Sequence, residues 1–458
     1  MYNLSDTIAA ISTPHGTGGI AGIRISGSNS WEIIRKIFTR NVGAIHELPL
    51  QHMHACHGFI KDNEKLIDEV IILPYKSPNS FTGEDVIEIF CHGGIQIPSM
   101  ILDLCLKSGA RLAKNGEFTY RAFINGKVDL TEAEAVNEII SAETEKAVYA
   151  AGEVLRGTLK EKVKSFRERI FSLITSIEGA IEFPMDVSGL DRNEIVNSLK
   201  NINLELLELI ETSKEGQILR QGVKVSIVGA PNVGKSSLLN QLLENDRSIV
   251  TEIPGTTRDT IEEKIIIKDI PFVFIDTAGI RDHAYLDKPE ALGIQRTKQA
   301  LEKADIAVVV IDLSKEATYN LSLKNGKPKI IVGNKIDLVG ALRETPLQEC
   351  DITISAKYGT NIGDLKKLLV EKTKSISHVR ASHAMPSPIY VNQRQKELLT
   401  QSCSHIDFVV GALRAMPITE DLIADELKKA VSKLDEISGQ KINDQIIANI
   451  FSKFCIGK

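Results

Sequence analysis

The chain lacks most of what would mark a secreted, membrane-spanning or nucleic-acid-coating protein. Its six cysteines form no Cys-x-x-Cys pair, which argues against a disulfide framework and a zinc ribbon. No apolar run approaches the roughly 20 residues of a membrane span. The opening Met1-Tyr2-Asn3-Leu4-Ser5-Asp6 carries neither a basic stretch nor an apolar signal core. Basic residues are not in excess: 55 Lys and Arg stand against 60 Asp and Glu, a formal net charge of −5. Any RNA contact must therefore run through a local patch rather than bulk charge. No fixed-period repeat is visible. What is present is an ordinary globular balance, 43% apolar and 25% charged, which excludes collagen-like, mucin-like and wholly disordered chains. The 458 residues amount to about three domains at roughly 150 residues each. The expectation is a reduced, cytoplasmic, water-soluble protein with neither membrane nor DNA as partner.

Composition shifts divide the chain. Residues 1–120 read as mixed α and β, with strands at Ile20 to Ile25 and Val86 to Cys91 and a helix from Ile95 to Leu106. Leu130 to Ile181 and Ile195 to Thr212 are rich in Ala, Glu, Leu and Lys and read as helical. Polar Thr212 to Gly222 reads as a linker. Strands at Val223 to Val228, Phe272 to Ile275, Ile306 to Leu313 and Lys329 to Val332 then alternate with helical stretches, which predicts a parallel sheet covered on both faces. Ser377 to Pro388 reads as a second linker. Helices return at Asn392 to Leu413, Thr419 to Leu434 and Asn443 to Phe451. The economical topology inserts the α/β unit into one helical domain built from both flanks; a serial arrangement is the alternative.

The strongest chemical signal follows Val223 to Val228. Gly229-Ala230-Pro231-Asn232-Val233-Gly234-Lys235-Ser236 fits GxxxxGK[ST] between a strand and a helix, the context that motif requires. Its backbone N–H groups and the helix dipole suit phosphates; Lys235 would reach the β- and γ-phosphates and Ser236 would ligate Mg²⁺. Asp276-Thr277-Ala278-Gly279 follows the next strand, where an Asp holds the Mg²⁺ shell and the Gly N–H senses the γ-phosphate. In Asn334-Lys335-Ile336-Asp337, the Asp337 carboxylate can accept from guanine N1–H and the 2-amino group. Ser355-Ala356-Lys357 would close the base pocket. Gly255-Thr256-Thr257-Arg258-Asp259 sits where a switch segment belongs, and Thr257 can complete the Mg²⁺ shell. Ile280 stands where Ras-like enzymes place a water-orienting Gln. Arg281, Glu290 or a monovalent cation beside Asn232 must then do that work.

These motifs and both flanks together resemble the bacterial MnmE (TrmE) family of tRNA modification GTPases. The flanking marks are Gly18-Gly19-Ile20 with Arg24-Ile25-Ser26-Gly27, Phe81-Thr82-Gly83-Glu84-Asp85, His92-Gly93-Gly94, Gly116-Glu117-Phe118-Thr119 with Arg121-Ala122-Phe123, Lys127-Val128-Asp129-Leu130 with Glu132-Ala133-Glu134-Ala135, and Cys455-Ile456-Gly457-Lys458. The resemblance implies an α+β tetrahydrofolate-binding and dimerisation domain at 1–120, a helical domain at 121–216 and 379–458, and an inserted Ras-like, doubly wound P-loop G domain at 217–378. It implies a homodimer that joins the FAD protein MnmG in a heterotetramer. Together they add an aminomethyl or carboxymethylaminomethyl group at C5 of the wobble uridine of certain tRNAs. The carbon comes from 5,10-methylene-tetrahydrofolate or a 5-formyl analogue. The family's GTPase is potassium-activated and dimerises through its G domains.

Carried over by motif, the GTP contacts are Asn232, Val233, Gly234, Lys235, Ser236, Ser237, Thr251, Thr256, Thr257, Asp276, Thr277, Ala278, Gly279, Asn334, Lys335, Asp337, Ser355 and Ala356. Mg²⁺ falls to Ser236 and Thr257, and K⁺ to Asn232, Thr251, Ile253 and Thr256. Glu290 matches the glutamate that orients water, and with Lys235 and Cys455 makes the catalytic set. Arg24, Glu84, Lys127 and Lys458 match the folate contacts.

Other features carry less. His15 to Ala21 fits a loose dinucleotide pattern, but a strand follows, not a helix, so a glycine turn is the better reading. His52, His54 and Cys56 would share one face of a strand and resemble metal ligands, with no second ligand cluster to complete a site. Arg156, Lys160, Lys162, Lys164, Arg167 and Arg169 read as a solvated helix face with Glu153, Glu161 and Glu168. Trp31 reads as core or partly buried. Two other functions stay open on the G domain alone: a ribosome-assembly GTPase, and a membrane or cytoskeletal scaffold GTPase. The second finds no amphipathic basic helix or heptad to support it.

Overall fold

A computed structural model describes residues 4–40, 50–182, 191–244, 263–275, 300–315, 327–339, 350–376, 389–415 and 419–457. They group into two compact units, one of residues 1–137, 154–202 and 401–458, the other of residues 138–153 and 203–400.

The first unit is built on a seven-stranded sheet. Its strands are β1 (Ile8–Ile11), β2 (Ile20–Ser26), β3 (Phe38–Arg40), β4 (Cys56–Asp62), β5 (Lys65–Tyr75), β6 (Val86–His92) and β7 (Arg111–Leu112), in the order β3-β4-β5-β6-β2-β1-β7. All neighbours are antiparallel except β1 and β7. Alternation gives the sheet two faces. Ile23, Ile25, Ile87, Ile89, Val70 and Ile72 point into a core with Ile33, Ile34 and Ile37 of α1 (Ser30–Ile37) and Ile101, Leu104 and Cys105 of α2 (Gln96–Lys107). Ile8 and Ala10 point the other way and pack with Ala113 and with Phe118 of α3 (Glu117–Ile124). Arg24 pairs with Ala10 and Glu88, and Ser26 with Ile8, so both polar residues share that second face.

The helical part of this unit includes α6 (Thr158–Glu182), α11 (Glu420–Ser438) and α12 (Asp444–Phe451). Along α11, Ile423, Leu427, Ala430, Leu434 and Ile437 are buried at helical spacing. Asp435, also buried, accepts a 2.7 Å hydrogen bond from Arg167 Nε of α6. Gly439 ends α11 at φ +88°, the left-handed cap that only glycine adopts cheaply. Arg156, expected within one basic helix, instead lies with Gly157 (φ +87°) in the turn between α5 (Glu145–Leu155) and α6.

The second unit holds a six-stranded sheet. It comprises β8 (Val223–Val228), β9 (Glu263–Ile267), β10 (Ile270–Phe274), β11 (Ile306–Asp312), β12 (Lys329–Asn334) and β13 (Ile352–Thr353), in the order β13-β12-β11-β8-β10-β9. Its pairs are parallel apart from the hairpin of β9 with β10. Leu238, Leu239 and Leu242 of α8 (Lys235–Glu244) and Leu365 and Leu369 of α9 (Ile362–Ile376) complete its core. This is the expected α/β P-loop architecture with one antiparallel edge added.

The expected linker at Thr212 to Gly222 is a helix: α7 runs unbroken over Arg192–Gln221. Most of its polar residues are exposed or half-buried, while Leu209, Ser213, Gly216 and Leu219 are buried at helical spacing. Gly216 reads as a breaker in sequence but serves packing, because a Cβ there would lie 2.7 Å from Tyr390 Cβ. The linker expected at Ser377 to Pro388 lies outside the described residues. The last two helices expected near residues 419 and 443 begin at Glu420 and Asp444, and the one expected at Asn392 is α10 (Gln393–Ala415).

Candidate functional site

The phosphate loop is assembled between β8 and α8. Its turns need left-handed backbone at Asn232 (φ +63°) and Gly234 (φ +98°). Lys235 Nζ donates to the carbonyls of Gly229 (3.0 Å) and Ala230 (2.8 Å). Burial holds its pKa below the usual lysine value, a bias that an incoming phosphate reverses by favouring the ammonium. Ser236 is half-buried and Ser237 exposed in the first turn of α8.

The Asn334-Lys335-Ile336-Asp337 segment locks onto this loop. Asn334, buried at the end of β12, donates from Nδ2 to Val233 O (2.7 Å) and accepts at Oδ1 from Ala356 N (2.9 Å). It therefore joins the phosphate loop to the Ser355-Ala356-Lys357 turn. Lys335 Nζ reaches Asn232 O (2.9 Å) and Asp312 Oδ2 (2.7 Å). Burial pushes the Asp312 carboxyl up, but the bonds from Lys335 and Ser314 outweigh it and leave its pKa lowered. Asp337 Oδ1 accepts from Ser355 Oγ at 2.6 Å, which orients the carboxylate. Sequence reasoning missed Asp312; its one signal was an acid closing an otherwise apolar strand.

Several expected residues lie outside the described residues: Thr251, Ile253, Thr256, Thr257, Arg258, Asp259, Asp276, Thr277, Ala278, Gly279, Ile280, Arg281, Glu290 and Lys458.

A second cluster occupies the α3 face of the first unit. Arg24 donates to Glu88 Oε1 from Nε (3.0 Å) and Nη2 (2.7 Å). Its guanidinium lies 5.1 Å from the Phe81 ring centre and 5.7 Å from that of Phe118. Glu84 accepts from Ser26 Oγ (2.7 Å) and from Arg121 Nη1 (3.1 Å to each oxygen). Lys127 packs its stem at Gly83 and donates to Pro78 O (3.1 Å). The structure thus gathers Arg24, Glu84 and Lys127 around one loop. The tail reaches the neighbouring strand β1 and the start of α3: Gly457 (φ +92°) sits so close to β1 that a Cβ would lie 2.4 Å from Ile11 O, and Gly116 N donates to Cys455 O (3.3 Å). The Cys455 thiol is exposed. By contrast, burial pushes Cys91 up to about 11 and Cys105 and Cys403 up to about 12.

The histidine reading is corrected. His52 and His54 lie in a turn, not on a strand, and only Cys56 starts β4. His52 Nδ1 accepts from Lys76 N (3.0 Å) and His54 Nδ1 meets His52 O (2.9 Å). Among the described residues no group of His, Cys, Asp and Glu is placed to hold a metal ion. No described helix is long and apolar enough to cross a membrane.

A parallel sheet whose strand ends carry a GxxxxGKS loop, Asn-Lys-x-Asp and Ser-Ala-Lys in mutual contact defines a P-loop guanine-nucleotide-binding protein. Comparison with known families narrows the class. Residues 7–127 match the family described as GTP-binding protein TrmE N-terminus, and residues 130–455 match the MnmE helical domain. A tRNA modification GTPase MnmE of Thermotoga petrophila is 40% identical over 99% of this chain and 100% of its own length. One of Thermoanaerobacter pseudethanolicus is 41% identical over 99% of each. A solved structure of Aquifex aeolicus Era bound to GDP·AlF4⁻ is 28% identical over 40% of this chain and 66% of Era, with a TM-score of 0.25, too low to argue from. The chain belongs to the MnmE (TrmE) family of tRNA modification GTPases.

Proposed function

We propose that this chain hydrolyses GTP with Mg²⁺ and, together with the FAD protein MnmG, adds an aminomethyl or carboxymethylaminomethyl group at C5 of the wobble uridine of certain tRNAs. The observation that carries the reading is one chain holding both the interlocked guanine-nucleotide loops and a TrmE-type N-terminal region, at about 40% identity to tRNA modification GTPases along nearly its whole length. That N-terminal match also disfavours the ribosome-assembly reading.

In this reading the domains are 1–120 for folate binding and dimerisation, 121–216 with 379–458 for the helical domain, and 217–378 for the G domain. Lys235 and the loop amides hold the β- and γ-phosphates, and Ser236 with Thr257 ligates Mg²⁺. Asn232, Thr251, Ile253 and Thr256 hold K⁺, whose charge replaces an arginine finger, and Glu290 orients the water. G domains of two copies pair across the nucleotide. The residues around Glu84 suit a tetrahydrofolate: a carboxylate for amino-pyrimidine N–H groups, Phe81 and Phe118 for a flat ring, and Arg24 and Lys127 for anionic ends; Lys458 is carried over from the family as a further contact. The folate supplies a one-carbon unit when bound, and Cys455 stands as the candidate thiol beside it. Dimerisation through the N-terminal domain is supported by one sheet face that exposes Ile20 (72%), Ile71 (48%) and Phe90 (39%) together. A cytoplasmic location fits this chemistry.

The nucleotide assignment is tested by Asp337→Asn. The change removes a charged acceptor for two guanine donors, each bond contributing roughly 1.5–3 kcal/mol. GTP affinity should fall about 100-fold or more while xanthosine triphosphate binding improves. Unchanged selectivity in a competition binding assay would remove Asp337 from the base pocket.

A further inference from the structure

Beneath the cluster just described lies a set of interlocked charges, with Arg121 and Glu117 buried and Asp6, Glu84 and Arg111 partly exposed. Arg121, on α3, is 0% exposed. Its Nη1 donates to both oxygens of Glu84 and to Asp6 O (2.8 Å), and its Nη2 to Asp6 Oδ1 (2.8 Å) and Glu117 Oε1 (3.2 Å). Arg111 binds Asp6 (2.8 and 3.2 Å) and Glu117 (2.7 and 3.1 Å) as well. Asp6 and Glu117 are thus each shared by two guanidiniums, and these contacts hold both carboxyls below their usual range. For Asp6 the hydrogen bond from Arg111 dominates; for Glu117 burial pushes up most strongly and is outweighed by Arg111, the Lys114 backbone N–H and Arg121 together.

Three carboxylates against two guanidiniums leave one negative charge over, and the geometry says where it sits. Of the two guanidiniums it is Arg121 that pairs with Glu84, whose side chain keeps 16% exposure at the rim. Ser26 Oγ spends its only proton on Glu84 Oε2, so at the 2.7 Å contact between Ser26 and Thr82 the threonine is the donor. Glu84 is therefore gripped from below by a guanidinium and a relayed hydroxyl, with acceptor capacity remaining on its open side.

We propose that Arg121 is a positioning residue for ligand recognition: it aims the Glu84 carboxylate at the donor N–H groups of the pterin ring of a tetrahydrofolate. This rests on the reading of Glu84 as a folate contact. Asp6 and Glu117 hold the guanidinium through Nη2, so its rigid plane fixes the Nη1 that both Glu84 oxygens share, as a flexible lysine ammonium does not, and ordering before binding spares the ligand that cost.

The test is a double-mutant cycle read by direct titration of 5-formyl-tetrahydrofolate into the full chain, with thermal unfolding alongside. Glu84→Gln should weaken binding about 10-fold or more. Arg121→Lys, which keeps the charge, should weaken it about 10-fold in the parent and less than about 2-fold when Glu84→Gln is present. Every variant should keep a single cooperative unfolding transition above the titration temperature, so that the losses report recognition and not unfolding. Should Arg121→Lys not fold, Arg121→Gln with Glu117→Gln keeps the cluster's net charge at −1 and should show the same coupling to Glu84. Equal losses in both backgrounds, or none in the parent, would overturn the positioning role. Unchanged binding in Glu84→Gln alone would instead overturn the folate reading of Glu84, and the positioning role with it.

Discussion

Gly234→Ala should abolish measurable GTP binding while leaving the N-terminal unit folded. Gly234 has φ +98°, and a Cβ there would stand 2.2 Å from Asn334 Nδ2. The left-handed backbone alone costs an alanine about 1–3 kcal/mol. The larger effect is on Asn334, which must move. Its Nδ2 bond to Val233 O and its Oδ1 bond from Ala356 N tie the phosphate loop to the base-recognition turn. A buried amide pushed off two partners loses about 1–3 kcal/mol for each group left unsatisfied. Both halves of the nucleotide site separate at once. A nucleotide titration should show affinity down by a factor of about 100 or more, and unfolding should begin several degrees earlier. Gly363→Ala, near the start of α9 with nothing within 4 Å of the added carbon, is the control. It should be neutral or stabilise by up to about 1 kcal/mol.

Lys235→Ala should remove GTP affinity by a different route. Lys235 Nζ rests on the carbonyls of Gly229 and Ala230, inside the curve of the loop. An ammonium there meets phosphate oxygens in a half-buried setting, where each charge-assisted bond contributes roughly 1.5–3 kcal/mol. Two such bonds correspond to about 100-fold to 10,000-fold in affinity. The carbonyls it leaves sit at the loop surface, where water can replace it, so the fold should hold and circular dichroism should be unchanged. Near-normal GTP affinity in this variant would contradict the phosphate role of Lys235.

Much of this site is written in the chain as local pattern. The phosphate loop needs glycines at fixed spacing because backbone must approach anion, and a strand and helix must flank it; both requirements are visible in sequence. Runs of β-branched and apolar residues bounded by Gly and Ser marked β2 and β6, and Thr419 to Leu434 read as the helix that is α11. What stayed hidden depends on tertiary neighbours. Thr212 to Gly222 looked like a linker because polar composition conceals a helix buried along one narrow stripe, and because the reason for Gly216 is Tyr390, far away in sequence. The short edge strand β9 went unread beside its hairpin partner. Asp312 became a partner of Lys335 only when β11 and β12 were set side by side. Arg121 is the clearest case: a charged residue reads as surface, and its burial makes sense only once Asp6 and Glu84, from two distant segments, join Glu117 of its own helix around it.

Mass spectrometry of wobble nucleosides tests the central claim most directly. The tRNA of cells lacking this protein should lose the C5 aminomethyl-type groups on wobble uridine. The intact gene should restore them and the Lys235→Ala gene should not. Nucleosides unchanged by loss of the protein would contradict the assignment to wobble-uridine modification.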